Sequence, residues 1–146
     1  QPCTRFIYLS LLVQCYLIIL YPFNLTSEGW QYFKGSWYLD STTEQSWNES
    51  RKFCQEKGAD LIIINSIQEQ GFARKFHGYR WIGLSDLEQQ GVWRWVDGSL
   101  LNTSFWYPGE PNNMGSEHCG VLYFSDTLDN WNDYSCSKKC YCICEK

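Results

Sequence analysis

The chain has 146 residues, a formal net charge of −4 and a 44% hydrophobic fraction. This length suits a single domain that buries a substantial core. The mild negative charge, with no block of basic residues, argues against nucleic acid as a partner. Eight cysteines indicate an oxidising compartment.

An apolar run occupies residues 6–23, with Arg5 immediately before it. Its length is marginal for crossing a hydrocarbon core of roughly 30 Å. Three interpretations remain open: a signal-anchor with Arg5 on the cytoplasmic side, a cleaved signal peptide, and an ordinary buried segment. We favour the anchor because no small-residue cleavage pattern follows the run, and the buried segment ranks last because the run has no amphipathic period. Residues 1–28 are therefore assigned to this segment and a short linker, and residues 29–146 to the folded domain.

Three Asn-x-Ser/Thr sequons predict N-glycosylation at Asn24, Asn48 and Asn102. Such tripeptides also occur by chance, but here they agree with the cysteine content. Both features are typical of a chain that passes through the secretory pathway.

Two Ser-x-x-Glu pairs predict the N-termini of two helices, because each pair has the spacing of a capping box. Gly58 ends the first helix after Lys57, and Gly78 ends the second. Short apolar or aromatic runs predict strands at six places. The capping pairs are Ser46 with Glu49 and Ser66 with Glu69, and the strands are residues 38–39, 61–64, 81–84, 93–96, 121–124 and 141–144.

Side-chain oxygens are concentrated among turn residues between positions 107 and 133, after a long segment with little periodicity. Ca²⁺ takes roughly six to eight oxygen ligands and tolerates the irregular geometry that loops provide. The pattern therefore predicts a calcium site whose open face binds a sugar. The candidate residues are Glu110, Asn112, Asn113, Glu117, Asn132 and Asp133.

Several motifs together resemble the C-type lectin domain, and in particular a mannose-type carbohydrate-recognition domain of a type II receptor. A tripeptide such as Glu-Pro-Asn is a weak signal alone, but the order and spacing of all the motifs agree with this family over residues 29–146. The motifs are WIGL at 81–84, GVWRWVDGS at 91–99, EPN at 110–112, WND at 131–133 and ICEK at 143–146.

The resemblance implies an α+β fold, in which two helices flank two small antiparallel sheets and long loops hold calcium. It also implies the disulfide bonds Cys54–Cys144 and Cys119–Cys136. Cys140 and Cys142 have no implied partner, which leaves a buried thiol, a local rearrangement or pairing between chains. A thiolate zinc site that combines them with Cys136 and Cys144 is disfavoured, because those two cysteines already have disulfide roles.

The resemblance further implies a set of primary calcium ligands and a cis peptide bond between Glu110 and Pro111. Asp86 and Asn113 match an auxiliary calcium site of the family. Gln90 and His118 stand where acidic ligands are usual, so we expect this second site to be weak or empty. The implied primary ligands are Glu110, Asn112, Glu117, Asn132 and Asp133.

Sugar specificity follows from the order of acceptor and donor around the proline, since a carboxylate accepts a hydroxyl proton and an amide NH₂ donates one. In this family the Glu110-Pro111-Asn112 order implies mannose, fucose, N-acetylglucosamine or glucose, whose relevant hydroxyls, the 3- and 4-hydroxyls in mannose, are both equatorial. Galactose is expected to bind poorly. One shallow site predicts millimolar affinity, roughly −4 kcal/mol, so we expect homo-oligomerisation or clustering on a membrane.

Two classes of function remain. The first is a calcium-dependent lectin, at the plasma membrane or secreted, that serves glycan or pathogen recognition in innate immunity. The alternative is a C-type-lectin-like module that binds a protein without sugar. No catalytic residues are assigned, because no nucleophile, base and orienting group share a recognisable spacing, and His77 and His118 are interpreted as exposed loop residues.

Overall fold

The computed structural model describes residues 13–14, 24–123 and 126–146. The chain divides into two units, residues 1–31 and residues 32–146. Within the first unit, residues 24–27 are helical. In the part of the chain that is described, no helix is long and apolar enough to cross a membrane. The predicted apolar run lies outside that part except for positions 13 and 14, so the anchor and signal-peptide interpretations stay predictions.

The second unit contains two helices and most of the strand residues, and the strands are numbered in chain order. Helix α1 is Trp47–Glu56 and helix α2 is Ile67–Ala73. The strands are β1 (Gln31–Phe33), β2 (Ser36–Asp40), β3 (Asp60–Leu61), β4 (Arg80–Ser85), β5 (Arg94–Trp95), β6 (Cys119–Leu122), β7 (Trp131–Tyr134) and β8 (Tyr141–Glu145).

The strands follow the order β1-β2-β8-β4-β6-β7, with β3 paired to β8 and β5 paired to β4. Pairing is antiparallel between β2 and β8, between β4 and β6, and between β6 and β7. The α+β prediction is confirmed. Strands β4 and β8 run parallel to each other, and this pairing connects the two sheets that the prediction kept apart.

Helix α1 begins at the predicted capping box. The Ser46 hydroxyl accepts a hydrogen bond from the Glu49 N–H, and the Glu49 carboxylate accepts one from the Ser46 N–H at 3.0 Å. Lys139 donates to the same carboxylate at 2.6 Å. Lys139 and then Ser46 lower the pKa of Glu49 to about 2, so this carboxylate is ionised at neutral pH. The helix ends at Glu56, close to the predicted end at Lys57.

Helix α2 is shorter than predicted. Ser66 caps its start, accepting from the Glu69 N–H at 3.2 Å, but the helix ends at Ala73 rather than near Gly78. The N–H groups of Lys75 and Phe76 bond to carbonyls three residues back, which tightens the chain into a turn. Phe76 is nevertheless buried.

Strand β3 is also shorter than the predicted strand at residues 61–64. Residues 62–64 leave the strand, yet Ile62 and Ile64 are fully buried. The Ile62 N–H donates to the Ile143 carbonyl, and the Ile62 carbonyl accepts from the Gly83 N–H at 2.8 Å. A Cβ atom on Gly83 would lie 2.8 Å from the Leu61 carbonyl oxygen, so this close approach requires glycine.

Two further strand predictions differ in extent. Strand β5 covers only Arg94–Trp95 of the predicted residues 93–96. Strand β6 begins at Cys119 and ends at Leu122, and Phe124, the predicted last residue, lies outside the described residues. Strand β7 was not predicted, because residues 131–133 were interpreted as a binding motif. Side chains of Trp81, Trp93 and Trp95 are buried in the core, as expected for strand tryptophans.

Disulfide bonds join Cys54 to Cys144 and Cys119 to Cys136, the pairs that the resemblance implies. Each contributes about 2 to 4 kcal/mol by constraining the unfolded chain. Cys140 and Cys142 are buried free thiols, and burial raises the pKa of Cys140 to about 12. This burial opposes pairing between chains through Cys140, and the two bridges leave too few free sulfurs for the zinc alternative.

We predict that Ser46→Ala lowers the free energy of unfolding by about 1 kcal/mol, because the first turn of α1 loses its cap. Thr42→Ala, at an exposed position before the helix, is the matched control and is expected to change stability little. Urea denaturation followed by circular dichroism measures both variants. Equal stability of the two variants would show that the capping box contributes nothing.

Candidate functional site

The candidate site is organised by the Asp133 carboxylate, which is fully buried in β7. One carboxylate oxygen accepts the backbone N–H of Asn112 at 3.0 Å, and the other accepts that of Asn113 at 2.6 Å. A buried carboxylate needs such partners, because an unpaired charge in the interior is costly. These two bonds attach the loop before β6 to strand β7.

The loop also holds its own shape through side-chain to backbone bonds. The Asn112 side-chain oxygen accepts from the Met114 N–H at 2.7 Å, and the Asn113 side-chain oxygen accepts from the Glu117 N–H at 3.0 Å. Short asparagine side chains favour such turns. The Glu110–Pro111 peptide bond is cis, as the resemblance implies.

Two non-glycine residues of this loop adopt left-handed backbone conformations. Asn113 has φ 52° and Ser116 has φ 66°. Asparagine tolerates this region, whereas serine rarely occupies it. Such positions persist only where the surrounding structure holds them, and they cluster at binding sites.

Gln70 of α2 also positions β7, through Trp131 on the same buried face as Asp133. The Gln70 side chain is fully buried. Its amide oxygen accepts from the Trp131 indole N–H at 2.8 Å, and its NH₂ donates to the Asn130 side-chain oxygen at 2.7 Å. A single glutamine therefore links α2 to the segment that carries Asn132 and Asp133. Sequence reasoning missed Gln70, since nothing in the helix pattern marks it as a buried polar residue.

The structure brings together four of the side chains that the sequence nominated, those of Glu110, Asn112, Glu117 and Asp133. Glu110 interacts with the side chains of Asp133 and Asn112 and feels the charge of Glu117. Burial, followed by the adjacent Asp133, raises the pKa of both Glu110 and Glu117. The charge of Lys138 partly offsets the rise in the pKa of Glu117. Three crowded carboxylates are an arrangement that a cation stabilises.

Two oxygen atoms of the nominated calcium ligands indicate whether a cation fits the site. Among the described residues, Glu110 Oε2 and Asn132 Oδ1 are buried and have no hydrogen-bond partner. Buried polar atoms without partners are uncommon in native proteins and call for an ion, a water or a functional role. All five nominated residues offer oxygen, the ligand atom that Ca²⁺ prefers and that does not suit softer metals. The residues fit calcium.

The two residues that match an auxiliary calcium site, Asp86 and Asn113, bond to groups of the protein. Asp86 Oδ1 lies 2.8 Å from His118 Nδ1, and Asp86 Oδ2 accepts the Gly91 N–H at 2.7 Å. Asn113 uses its side-chain oxygen in the turn described above. Asp86 thus has a structural role, and a weak second calcium site stays a prediction. His118 is half-buried against Asp86, so its interpretation as an exposed loop residue was wrong.

The three sequon asparagines, Asn24, Asn48 and Asn102, are exposed. Exposure is a requirement for a glycan, so N-glycosylation stays a prediction. His77 is exposed, as expected.

Comparison with a protein-family model for the lectin C-type domain gives a match over residues 43–146. Among curated proteins, human C-type lectin domain family 17, member A, is 48% identical over 122 residues, which cover 82% of this chain and 32% of that protein. Mouse CD209 antigen-like protein A is 45% identical over 123 residues, which cover 80% of this chain and 50% of that protein. The chain thus spans a third to a half of the length of these relatives.

Solved structures show the same likeness. The trimeric Kupffer cell C-type lectin receptor Clec4f matches with a TM-score of 0.80 at 32% identity, covering 91% of this chain and 92% of that one. The C-type lectin domain of murine dendritic cell inhibitory receptor 2, in complex with N-glycan, has a TM-score of 0.74 at 33% identity, covering 80% and 94%. A calcium-independent type II antifreeze protein has a TM-score of 0.75 at 29% identity, covering 81% and 91%.

We predict that two carboxylate substitutions change the stability of the calcium-free protein differently. Asp133→Asn is expected to lower the free energy of unfolding by about 1 to 3 kcal/mol, because an amide cannot accept both loop N–H groups. Glu110→Gln removes a carboxylate with an unpaired buried oxygen, so stability is expected to stay the same or rise. Chemical denaturation in the presence of a chelator measures both, and an equal loss in the two variants would contradict the assigned roles.

Proposed function

Because this chain belongs to the C-type lectin domain family, we propose that it binds carbohydrate in a calcium-dependent manner through residues 107–133. The observation that carries the proposal is the pair of buried oxygens without partners, on Glu110 and Asn132. In a loop that the buried Asp133 carboxylate holds in place, a bound cation would complete the environment of both atoms.

Five residues would hold the ion: Glu110, Asn112, Glu117, Asn132 and Asp133. Calcium, when bound, supplies positive charge to the crowded carboxylates and accepts lone pairs from sugar hydroxyls. Asp133 and Asn112 are already positioned by the loop bonds, so little further ordering of the backbone is required. The Asn112 oxygen retains a second lone pair beyond its bond to the Met114 N–H.

Sugar choice follows from the two residues that flank the proline. The Glu110 carboxylate accepts a hydroxyl proton, and the Asn112 NH₂ donates to a hydroxyl oxygen. This order suits a neighbouring pair of equatorial hydroxyls, which the 3- and 4-hydroxyls of mannose, N-acetylglucosamine and glucose and the 2- and 3-hydroxyls of fucose provide. Galactose, whose 4-hydroxyl is axial, is disfavoured. The N-glycan complex of the murine dendritic cell receptor domain supports a glycan as the ligand.

A single shallow site is expected to bind a sugar weakly. Millimolar affinity, roughly −4 kcal/mol, gives useful binding only when several domains act together. The trimeric state of Clec4f supports a homo-oligomer. We therefore propose an extracellular lectin, displayed on a membrane or secreted, that binds dense glycan surfaces such as those of pathogens.

The alternative is a module that binds a protein, or another ligand, without sugar. The likeness to a calcium-independent antifreeze protein shows that this fold also occurs where no calcium is used. The complete set of five oxygen ligands in this chain favours the lectin.

We predict that the chain is retained on immobilised mannose in calcium, that a chelator releases it, and that immobilised galactose does not retain it. The double variant Glu110→Gln, Asn112→Asp reverses the order of acceptor and donor and is expected to shift retention from mannose toward galactose. Affinity chromatography with both sugars measures the preference.

Asp97→Asn is the matched control, because it removes one exposed carboxylate whose hydrogen bonds are confined to Ser99. Its retention is expected to equal that of the unmodified chain. Calcium binding without retention on either sugar would favour the protein-ligand alternative. Absence of calcium binding would overturn the proposal.

A further inference from the structure

Three cysteine sulfurs lie together in the interior of the larger unit. The Sγ atoms of Cys54, Cys142 and Cys144 are all within 4.8 Å of one another, and all three residues are fully buried. Cys54 and Cys144 form a disulfide bond, whereas Cys142 is a free thiol. A free thiol is therefore buried directly beside a disulfide bond. We call these three residues the cysteine cluster.

The cysteine cluster follows from the alternation of side chains in β8. Cys142 and Cys144 are two residues apart in this strand, and alternate residues of a strand point to the same face. Cys144 reaches helix α1 through its bond to Cys54, which is buried in that helix. Because Cys142 lies on the same face of β8, it also points toward Cys54.

The backbone of Cys142 is fixed by its neighbours in the sheet. Its N–H donates to the Ser41 hydroxyl at 2.9 Å, and its carbonyl accepts the Ser41 N–H at 2.9 Å. Cys142 is also paired with Trp81 of β4. The thiol therefore stays beside the disulfide bond for as long as the sheet is intact.

Thiol–disulfide exchange requires a thiolate within reach of a disulfide bond, and the cysteine cluster supplies both. The Cys142 thiol loses its proton, and its sulfur attacks the Sγ atom of Cys54. A Cys54–Cys142 bond forms, the Cys54–Cys144 bond breaks, and Cys144 leaves as a thiolate that takes up a proton. The numbers of disulfide bonds and free thiols stay the same, so the exchange consumes no oxidant or reductant.

Cys54 is favoured over Cys144 as the sulfur that is attacked. Attack on Cys144 would join two residues of one strand, whose Cα atoms are about 6.6 Å apart at an ordinary strand rise. Disulfide bonds rarely span more than about 6.8 Å between Cα atoms, so that bond would be near the limit. A bond from Cys54 to Cys142 closes nearly the same length of chain as the present bridge, whose ends are 90 residues apart, and constrains the unfolded chain almost equally.

The end of β8 has other attachments besides the bridge at Cys144. The Glu145 carboxylate accepts the Ile63 N–H at 3.0 Å and the Tyr38 hydroxyl at 3.2 Å. Cys144 itself pairs with Leu39 of β2. These contacts hold the end of the strand in place when the bridge moves two residues back.

Burial makes the exchange slow. Burial raises the pKa of the Cys142 thiol, and the adjacent Ser41 hydroxyl lowers it in part. The charges of Asp40 and Arg80 act on this pKa in opposite directions. Because the thiolate is the reactive form, only a small fraction of Cys142 is competent to attack at neutral pH. Uncatalysed disulfide rearrangement in proteins takes minutes to hours.

We propose that the bridge from Cys54 exchanges between Cys144 and Cys142, so that the protein exists as two disulfide isomers with the same fold. In the minor isomer Cys144 is the free thiol, and helix α1 is joined to β8 at Cys142. The exchange is independent of sugar binding. Minor states of folded proteins commonly have populations of about 0.1 to 10%, and we expect the minor isomer to lie in this range.

The test determines which cysteine of β8 is the free thiol in the full chain. The protein is incubated in mildly alkaline buffer without oxidant or reductant, and samples are quenched with acid over time. Free thiols are blocked with N-ethylmaleimide in acidic denaturant, after which the bridged cysteines are reduced and labelled with iodoacetamide. Tandem mass spectrometry of the tryptic peptide 140–146 identifies the label on each cysteine. N-ethylmaleimide is expected to appear on Cys144 as it decreases on Cys142.

Three variants control the measurement. Cys142→Ser removes the attacking sulfur, so Cys144 is expected to stay bridged throughout. Cys140→Ser is the matched control, because it removes the other buried free thiol and is expected to leave the exchange unchanged. In Cys144→Ser, Cys54 is expected to pair with Cys142, and circular dichroism shows whether this variant folds.

Three results would overturn the proposal. The first is N-ethylmaleimide on Cys144 in fewer than about 0.1% of unmodified chains. The second is equal labelling of Cys144 in the Cys142→Ser variant, which would assign the attack to another sulfur. The third is an unpaired Cys54 in folded Cys144→Ser protein. If that variant does not fold, the time course of the unmodified chain decides the outcome alone.

Discussion

The buried carboxylate of Asp133 is the constraint on which the site depends. A carboxylate without solvent is tolerated only when hydrogen bonds satisfy its oxygens, and the N–H groups that do so come from Asn112 and Asn113 in the loop. Strand β7 and the loop therefore cannot take their positions independently. The cis peptide at Glu110, the asparagine turns and the left-handed residues all lie within the segment that these two bonds tether.

Strand β7 is itself held by groups that are distant in sequence. Gln70 of α2 bonds to the Trp131 indole, and the Cys119–Cys136 bridge closes the chain around the strand. Pairing with β6 completes the support. A helix, a disulfide bond and a sheet thus converge on four residues, two of which are proposed calcium ligands. Such support keeps ligand atoms in place before a ligand arrives, which reduces the ordering cost of binding.

Sequence alone predicted the features that depend on local chemistry. The capping box at Ser46 and the N-cap at Ser66 involve residues three apart, so their spacing is visible in the chain. At Ser66 the predicted box is incomplete, because the Glu69 carboxylate accepts the Asn65 N–H rather than that of Ser66. The resemblance to the family supplied the oxygen residues around Asp133. The end of α2, the short β3 and the Asp86–His118 pair depend instead on contacts between distant segments, and Gln70 is a clear case, because its partners lie about 60 positions away. No local pattern predicts that a glutamine on a helix will be buried against a tryptophan.

The two faces of β7 were hidden from the sequence for a related reason. Residues 131–133 were interpreted as a binding motif rather than as a strand, and only a strand fixes which side chains share a face. In β7, Trp131 and Asp133 are buried, whereas Asn132 and Tyr134 are partly exposed on the opposite face. The alternation gives one short strand two roles, since its buried face carries the Asp133 carboxylate that tethers the loop and its other face carries Asn132, a proposed calcium ligand.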